Sequence, residues 1–291
     1  ALHLFPPANT YTYVTTSCMI YVIYINAVHN RMCRYFLGVN KYTPNVAIQG
    51  DMGLRVPWQH QWIEIIRQWC RVHDMQDVRL NKRIYIWSKD VRGSTWYSRL
   101  VAMLHKTNLS DYLFHDSINK DMLISDLKEK LENMFYQKWS AELFKLESKS
   151  KKGNNKLRTY NTFKKDFVSE CYVFTTMPRC HRSAMAQLRC GTAPIRLETG
   201  RYEGIPVEQR TCPLCKEAVE DELHIILECP VYNDVRHELL NKLMVDVNGL
   251  FCYSKPEILK LILGCTDESH VKLCARACFN FLELRRKKLY N

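Results

Sequence analysis

Four side chains between residues 212 and 229 have the types and spacing of a metal site. Cys212, Cys215, His224 and Cys229 follow the pattern Cys-x2-Cys-x8-His-x4-Cys. Two cysteines separated by two residues bring their sulfurs together in a tight turn, and a histidine and a cysteine five residues apart can complete a tetrahedron from a short helix and its end. Such a donor set suits Zn2+. Three sulfurs and one nitrogen leave no position for water, so the expected role is structural and not hydrolytic. The competing reading is a chance cluster in a chain with 13 cysteines. Against it, residues 216–223 are polar and turn-forming and give way at once to apolar Ile225, Ile226 and Leu227.

A second group with chemical potential is basic. Residues 149–165 carry Lys149, Lys151, Lys152, Lys156, Arg158, Lys164 and Lys165 and no acidic residue. These cations could neutralise phosphates, with Tyr160 and Phe163 available to stack on bases. A solvated linker explains the same composition, and both readings stay open. Arg182 and Arg189 on a short basic helix, together with Arg179, Arg196, Arg201 and Arg210, extend the candidate contact surface. The metal loop itself is acidic, with Glu217, Glu220, Asp221, Glu222 and Glu228, and is expected to repel phosphates. Overall, 42 Lys and Arg against 30 Asp and Glu give a net charge of +12, which favours a polyanion as partner, nucleic acid before a membrane surface.

Other clusters carry less. Cys171, Cys180, His181 and Cys190 fit no metal spacing, and Cys274 and Cys278, which share a helix face with Cys265 and His270 just upstream, read as buried cysteines. No sequence context singles out a Cys–His nucleophilic pair. Asp51, in Gln-Gly-Asp-Met-Gly, reads as a turn residue.

The elements that must position these groups are helical. Residues 25–37 place Val28, Met32, Tyr35 and Phe36 at helical spacing, with Arg31 and Arg34 outward. Pro57 opens a helix whose stripe of Trp58, Trp62, Ile65, Ile66, Trp69 and Val72 reads as core, or alternatively as a stacking platform for bases. Helices are expected at 95–106, at 121–146 with Leu123, Leu127, Leu131, Met134 and Phe135 on one face, at 182–190, at 231–244, and at 268–288 with Val271, Cys274, Cys278, Phe281 and Leu282 inward. Residues 40–53 and 195–211 read as loop or extended chain. The expectation is a mainly α protein: an unassigned segment 1–25, a helical domain 26–148, a basic linker 149–165 and a small zinc-stapled helical domain 166–291. The apolar run 18–25 is too short to span a bilayer, and no signal peptide is evident. An odd number of cysteines in a long chain points to a reducing, intracellular compartment, nucleus or cytoplasm, with no membrane partner. The first residue is Ala, which suits a chain beginning inside a longer reading frame.

The stretches RYFLGVNKYTPNVAIQGDMG, LRTYNTFK, LRCGTAPIRLETGRYEGIP and CPLCKEAVEDELHIILECPVYNDVR, in that order, resemble the C-terminal part of the reverse-transcriptase polyproteins of animal non-LTR retrotransposons. The resemblance runs over residues 26–240. It implies that the first half is a thumb-like helical segment after the polymerase palm, and that the second half is a Cys-Cys-His-Cys zinc-binding domain whose ligands fall on Cys212, Cys215, His224 and Cys229. It also implies RNA or DNA as partner, and polymerase and endonuclease portions elsewhere in a longer polyprotein. The polymerase chemistry needs clustered carboxylates for two metal ions, and the chain has no Asp-Asp pair; nor does the segment after Cys229 carry the Pro-Asp motif of an associated endonuclease. The chain is therefore expected to be a non-catalytic, nucleic-acid-binding fragment. Two other readings remain: a zinc-stapled protein-interaction module, and a non-functional element remnant.

Overall fold

The computed structural model describes residues 24–91, 93, 95–115, 117–148, 156–247 and 249–290. The protein is mainly α-helical, and the β pairing among these residues is one antiparallel bridge, Thr211 with Val219. Lys149, Lys151 and Lys152 lie outside the described residues, as does most of the expected segment 1–25. No helix among the described residues is long and apolar enough to cross a membrane.

The chain divides into two units. The first comprises 24–29 and Arg55–Lys138. Helix α3 (Pro57–His73) starts with proline at its first turn, where the missing N–H falls among donors that have no intrahelical partner. Its stripe is core: Ile63, Ile66, Trp69, Cys70 and Val72 are buried, and Trp58, Trp62 and Ile65 pack half-buried against them. With Trp69 enclosed and its Nε1–H donated to the Tyr85 hydroxyl at 3.2 Å, the tryptophan row is not an open stacking platform. Tyr85 belongs to α4 (Leu80–Asp90). Helix α5 (Trp96–Lys106) begins in a capping box, in which the Ser98 N–H donates to Thr95 Oγ1 and the Thr95 N–H donates to Ser98 Oγ. Helix α6 (Lys120–Ser148) buries Leu123, Leu127 and Leu131 in this core at intervals of four, as its spacing predicts.

The second unit comprises Asn30–Leu54 and the chain from Trp139 onward. This division differs from the expected boundary near 148, because the first helix, α1 (residues 24–37), sends Cys33 and Leu37 into the same core as the metal loop. That face of α1 is the reverse of the expected one. Val28, Met32, Tyr35 and Phe36 are exposed, while Arg34 is tied down by donating to the Thr43 carbonyl at 2.8 Å and to Asn45 Oδ1. The segment read as a loop after α1 contains helix α2 (Asn45–Met52). Gly50 is required there, since a Cβ would lie 2.4 Å from the Tyr160 hydroxyl and 2.9 Å from the Trp139 ring. Trp139, in turn, donates its Nε1–H to the Val46 carbonyl at 2.8 Å.

Beyond it come α7 (Tyr160–Phe163), α8 (Cys171–Phe174), α9 (Arg179–Arg189) and α10 (Arg196–Tyr202), the last within a stretch expected to be extended. Then follow α11 (Asn233–Asp246), α12 (Lys255–Leu263) and α13 (Glu268–Tyr290). Helix α13 lies along α9 and buries Val271, Cys274, Cys278 and Phe281, as its periodicity predicts. The end of the expected linker is not a linker. Leu157 and Tyr160 are fully buried, and Tyr160 donates its hydroxyl to the Ala47 carbonyl at 3.1 Å, so it is no base-stacking residue.

Candidate metal centre and basic surface

The metal loop begins with a short antiparallel turn. Its N–H of Cys212 donates to the Ala218 carbonyl at 2.8 Å, and its Glu220 N–H to the Arg210 carbonyl at 3.0 Å. Lys216 closes the turn in the left-handed region, φ +64°. Cys212 and Cys215 are thereby held on one side. The other two donors come from the segment 224–229, and their five-residue spacing has a structural reason. In an α-helix residues five apart point about 140° away from each other. Here His224–Glu228 is wound as a π-turn, closed by the Cys229 N–H donating to the His224 carbonyl at 2.7 Å, a local widening that recurs at functional sites. Asp221 Oδ1 accepts from the His224 N–H at 2.7 Å and sets the start of the turn.

One donor atom from each of Cys212, Cys215, His224 and Cys229 lies within 4.8 Å of every other, and His224 Nε2 is 3.3 Å from Cys215 Sγ. Soft donors bound at about 2.0–2.3 Å around one ion are separated by about 3.5–4 Å, so this group needs only a small contraction to hold a cation. The surroundings fit anionic sulfur. Each cysteine faces a backbone N–H from two residues ahead: Leu214 for Cys212, Glu217 for Cys215 at 3.5 Å, and Val231 for Cys229. Without a cation, burial pushes the Cys212 thiol up and the Cys229 thiol up to about 12, so protons must leave as a metal enters. The His224 Nδ1, which a ligating histidine commonly turns to a carboxylate, makes no hydrogen bond; the Glu228 carboxylate stands 4.0 Å away. These residues could hold one metal ion.

Only part of the loop's acidity faces outward as expected: Glu217 and Glu228 are exposed, whereas Glu220 and Glu222 are buried. Glu220 is fully buried and paired fork to fork with Arg285 of α13, both contacts at 2.7 Å, and accepts the Arg196 backbone N–H as well. Glu222 is buried against Arg158, with both carboxylate oxygens at 2.6 Å, and accepts the Thr159 hydroxyl at 3.1 Å. Glu220 and Glu222 thus bolt the loop to α13, to α10 and to the turn before α7. Sequence reasoning missed these bolts. Glu220 and Arg285 are 65 residues apart, and no local pattern couples them.

The same pairings correct the candidate nucleic-acid contacts. Arg189 is buried between Asp51 and Glu170, donating to Asp51 at 3.0 and 2.8 Å and to the Leu263 carbonyl. Tyr172 donates its hydroxyl to Asp51 at 2.6 Å. Burial alone would raise the Asp51 carboxyl, but the Arg189 guanidinium and the Tyr172 hydroxyl outweigh it and hold the carboxyl below its ordinary range. Asp51 is therefore a helix residue at the centre of a charge network and not a turn residue. Lys164 is buried on Glu170 and the Val168 carbonyl. Lys156 is paired with Glu198 at 2.6 Å, and Arg158 is committed to Glu222. Arg210 is buried and donates to the carbonyls of Leu197 and Ile205, while Arg196 and Arg201 pair with Glu203 and Glu198. Arg189, Lys164 and Arg210 cannot reach a phosphate, because folding has already enclosed them. Of the expected contacts that are described, Lys165, Arg179 and Arg182 have no carboxylate partner among the described residues. The cysteines 171, 180 and 190 and His181 do not gather with the metal cluster, and no disulfide joins cysteines among the described residues.

No protein-family model matches the chain, and comparison with curated proteins and with solved structures found no significant match.

Proposed function

We propose that the protein is a nucleic-acid-binding accessory portion of a non-LTR retrotransposon reverse transcriptase, without polymerase chemistry of its own, stapled by one structural Zn2+ on Cys212, Cys215, His224 and Cys229. The zinc reading rests on the four-donor group and on the backbone N–H groups that face its sulfurs and suit thiolates; four protein donors fill a tetrahedral ion and leave no position for a substrate. When bound, the ion supplies folding free energy and not catalysis. The nucleic-acid reading rests on the net charge of +12 together with the cations left without carboxylates after folding. The test is zinc content of the purified protein by elemental analysis, joined to binding of a short single-stranded RNA across a salt series. One zinc per chain and a log–log salt slope of about −2 or steeper, at roughly −0.7 per phosphate, support the reading. A metal-free folded protein, or binding indifferent to salt, would overturn it.

A second reading, a protein-interaction module, is favoured by α4 alone. Leu80, Ile84 and Trp87 stand exposed on it at helical spacing, 69, 53 and 46 % accessible. It predicts affinity for RNA no stronger than that of any protein of similar charge.

A further inference from the structure

The last turn of α1 and the first turn of α9 carry side chains that neither the metal loop nor the core uses. Tyr35 and Phe36 were expected to pack inward, and instead Tyr35 is 71 % exposed and Phe36 39 %. Each supports an arginine from α9. The Arg179 guanidinium lies 4.4 Å from the Tyr35 ring centre and donates to the Tyr35 carbonyl at 2.9 Å. The Arg182 guanidinium lies 4.7 Å from the Phe36 ring centre and donates to the Thr175 carbonyl at 3.3 Å, next to Phe174, which is 70 % exposed. Among the described residues neither arginine has a carboxylate partner. Residues 24–50 and 171–197 contain no Asp or Glu at all. Helix stability does not explain this placement, since cations at a helix N-terminus oppose its dipole.

We infer that Tyr35, Phe36, Arg179 and Arg182 form a stacking platform for the bases and phosphates of a single-stranded nucleic acid. An arginine held over an aromatic ring and tied to a backbone carbonyl has lost much of its rotamer freedom before any ligand arrives, and its remaining N–H groups can serve an anion. The ring keeps its other face for a base. Bases reach such a surface only when unpaired, and stacking is indifferent to sequence because every base has a π-face. An acidic peptide would satisfy the arginines but would leave the exposed rings without a planar partner. The platform rests on the nucleic-acid reading and narrows it to a strand type and a place.

The experiment measures binding of a fluorescent oligouridylate by the full chain, its Tyr35→Ala and Tyr35→Phe variants, and an Arg179→Gln/Arg182→Gln double variant, across a salt series. A blunt duplex and an oligoglutamate of equal charge serve as competing ligands. Loss of one stacked base should weaken Tyr35→Ala at least about fivefold with the salt slope kept, and Tyr35→Phe should bind as the wild type does. The double arginine variant should flatten the slope by about 1.4, two contacts at roughly 0.7 each. Salt-dependent binding that is equal in wild type and Tyr35→Ala overturns the platform and leaves the broader reading standing. Equal loss on the duplex, or oligoglutamate bound as well as RNA, also overturns it. Absence of salt-dependent binding by the wild type overturns both.

Discussion

Between residues 55 and 138 the buried side chains are apolar apart from Gln59, Ser88 and Thr107, and no buried one among the described residues is charged. The unit built on Asn30–Leu54 and the chain from Trp139 buries Asp51, Lys164, Arg189, Glu198, Arg210, Glu220, Glu222 and Arg285, with the thiols and imidazole of the metal loop beside them. The first unit is held by stripes of Leu, Ile and Trp on helices, where any residue of similar size and apolarity can serve. The second is held by pairings that each require a particular partner. Buried ion pairs contribute little net stability against apolar replacements, yet removing one partner is strongly destabilising. Charge there fixes which segments meet, and a metal ion would do the same for the loop at its centre.

The largest way to break this contrast is to remove a donor. Structural zinc contributes of the order of 10–16 kcal/mol in small peptides, comparable with or above the whole stability of a domain, about 5–15 kcal/mol. Cys215→Ser or His224→Ala should abolish metal binding and expose residues 195–240 to trypsin, while circular dichroism still reports the helices of the first unit. Next in size is the core network. Arg189→Met leaves the Asp51 carboxylate buried without its cation, and should cost about 3–5 kcal/mol, read as a lower urea midpoint for the second unit; replacing Asp51 by Leu as well should recover much of the loss. Because Asp51 is held below its ordinary carboxyl range, its contribution is present above about pH 4 and disappears as the pH falls through its depressed folded value. The acid limb of the stability profile should accordingly be shallower in Asp51→Asn than in wild type. In the first unit the relevant lesion is a cavity: Leu127→Ala, at a fully buried position, should cost about 2–5 kcal/mol and leave metal content unchanged. Smallest is Thr95→Ala, which removes the cap of α5 and should lower the unfolding free energy of that unit by about 1 kcal/mol.

How much of this could be read from the sequence follows the same division. The stripe of α3, the leucines of α6 and the inward face of α13 repeat at helical spacing, and the structure buries them as that spacing predicts. The four donors were legible too, since ligand type and short spacing are local properties. What was not legible is long-range and particular. Glu220 and Glu222 read as an acidic surface because nothing near them in sequence announces Arg285 or Arg158. Arg189 and Lys164 read as phosphate contacts because cations ordinarily stay at the surface, and the partners that enclose them stand far away or on another element. The turn assigned to Asp51 hid a helix, since Gly50 and Gly53 suggest a bend when taken alone, whereas Gly50 is there to let Tyr160 and Trp139 approach. On α1 two helical stripes compete. The more apolar one, with Met32, Tyr35 and Phe36, faces out, and the narrower Cys33 and Leu37 pair faces in.

The most direct test of the metal staple is hydrogen exchange, resolved along the chain, on the purified protein before and after chelation. Loss of protection at the backbone N–H groups of Cys212, Lys216, Glu220 and Cys229, spreading along α13 through Arg285 but sparing α3 and α5, is the expected result. Protection unchanged by the chelator, or lost equally in both units, would contradict it.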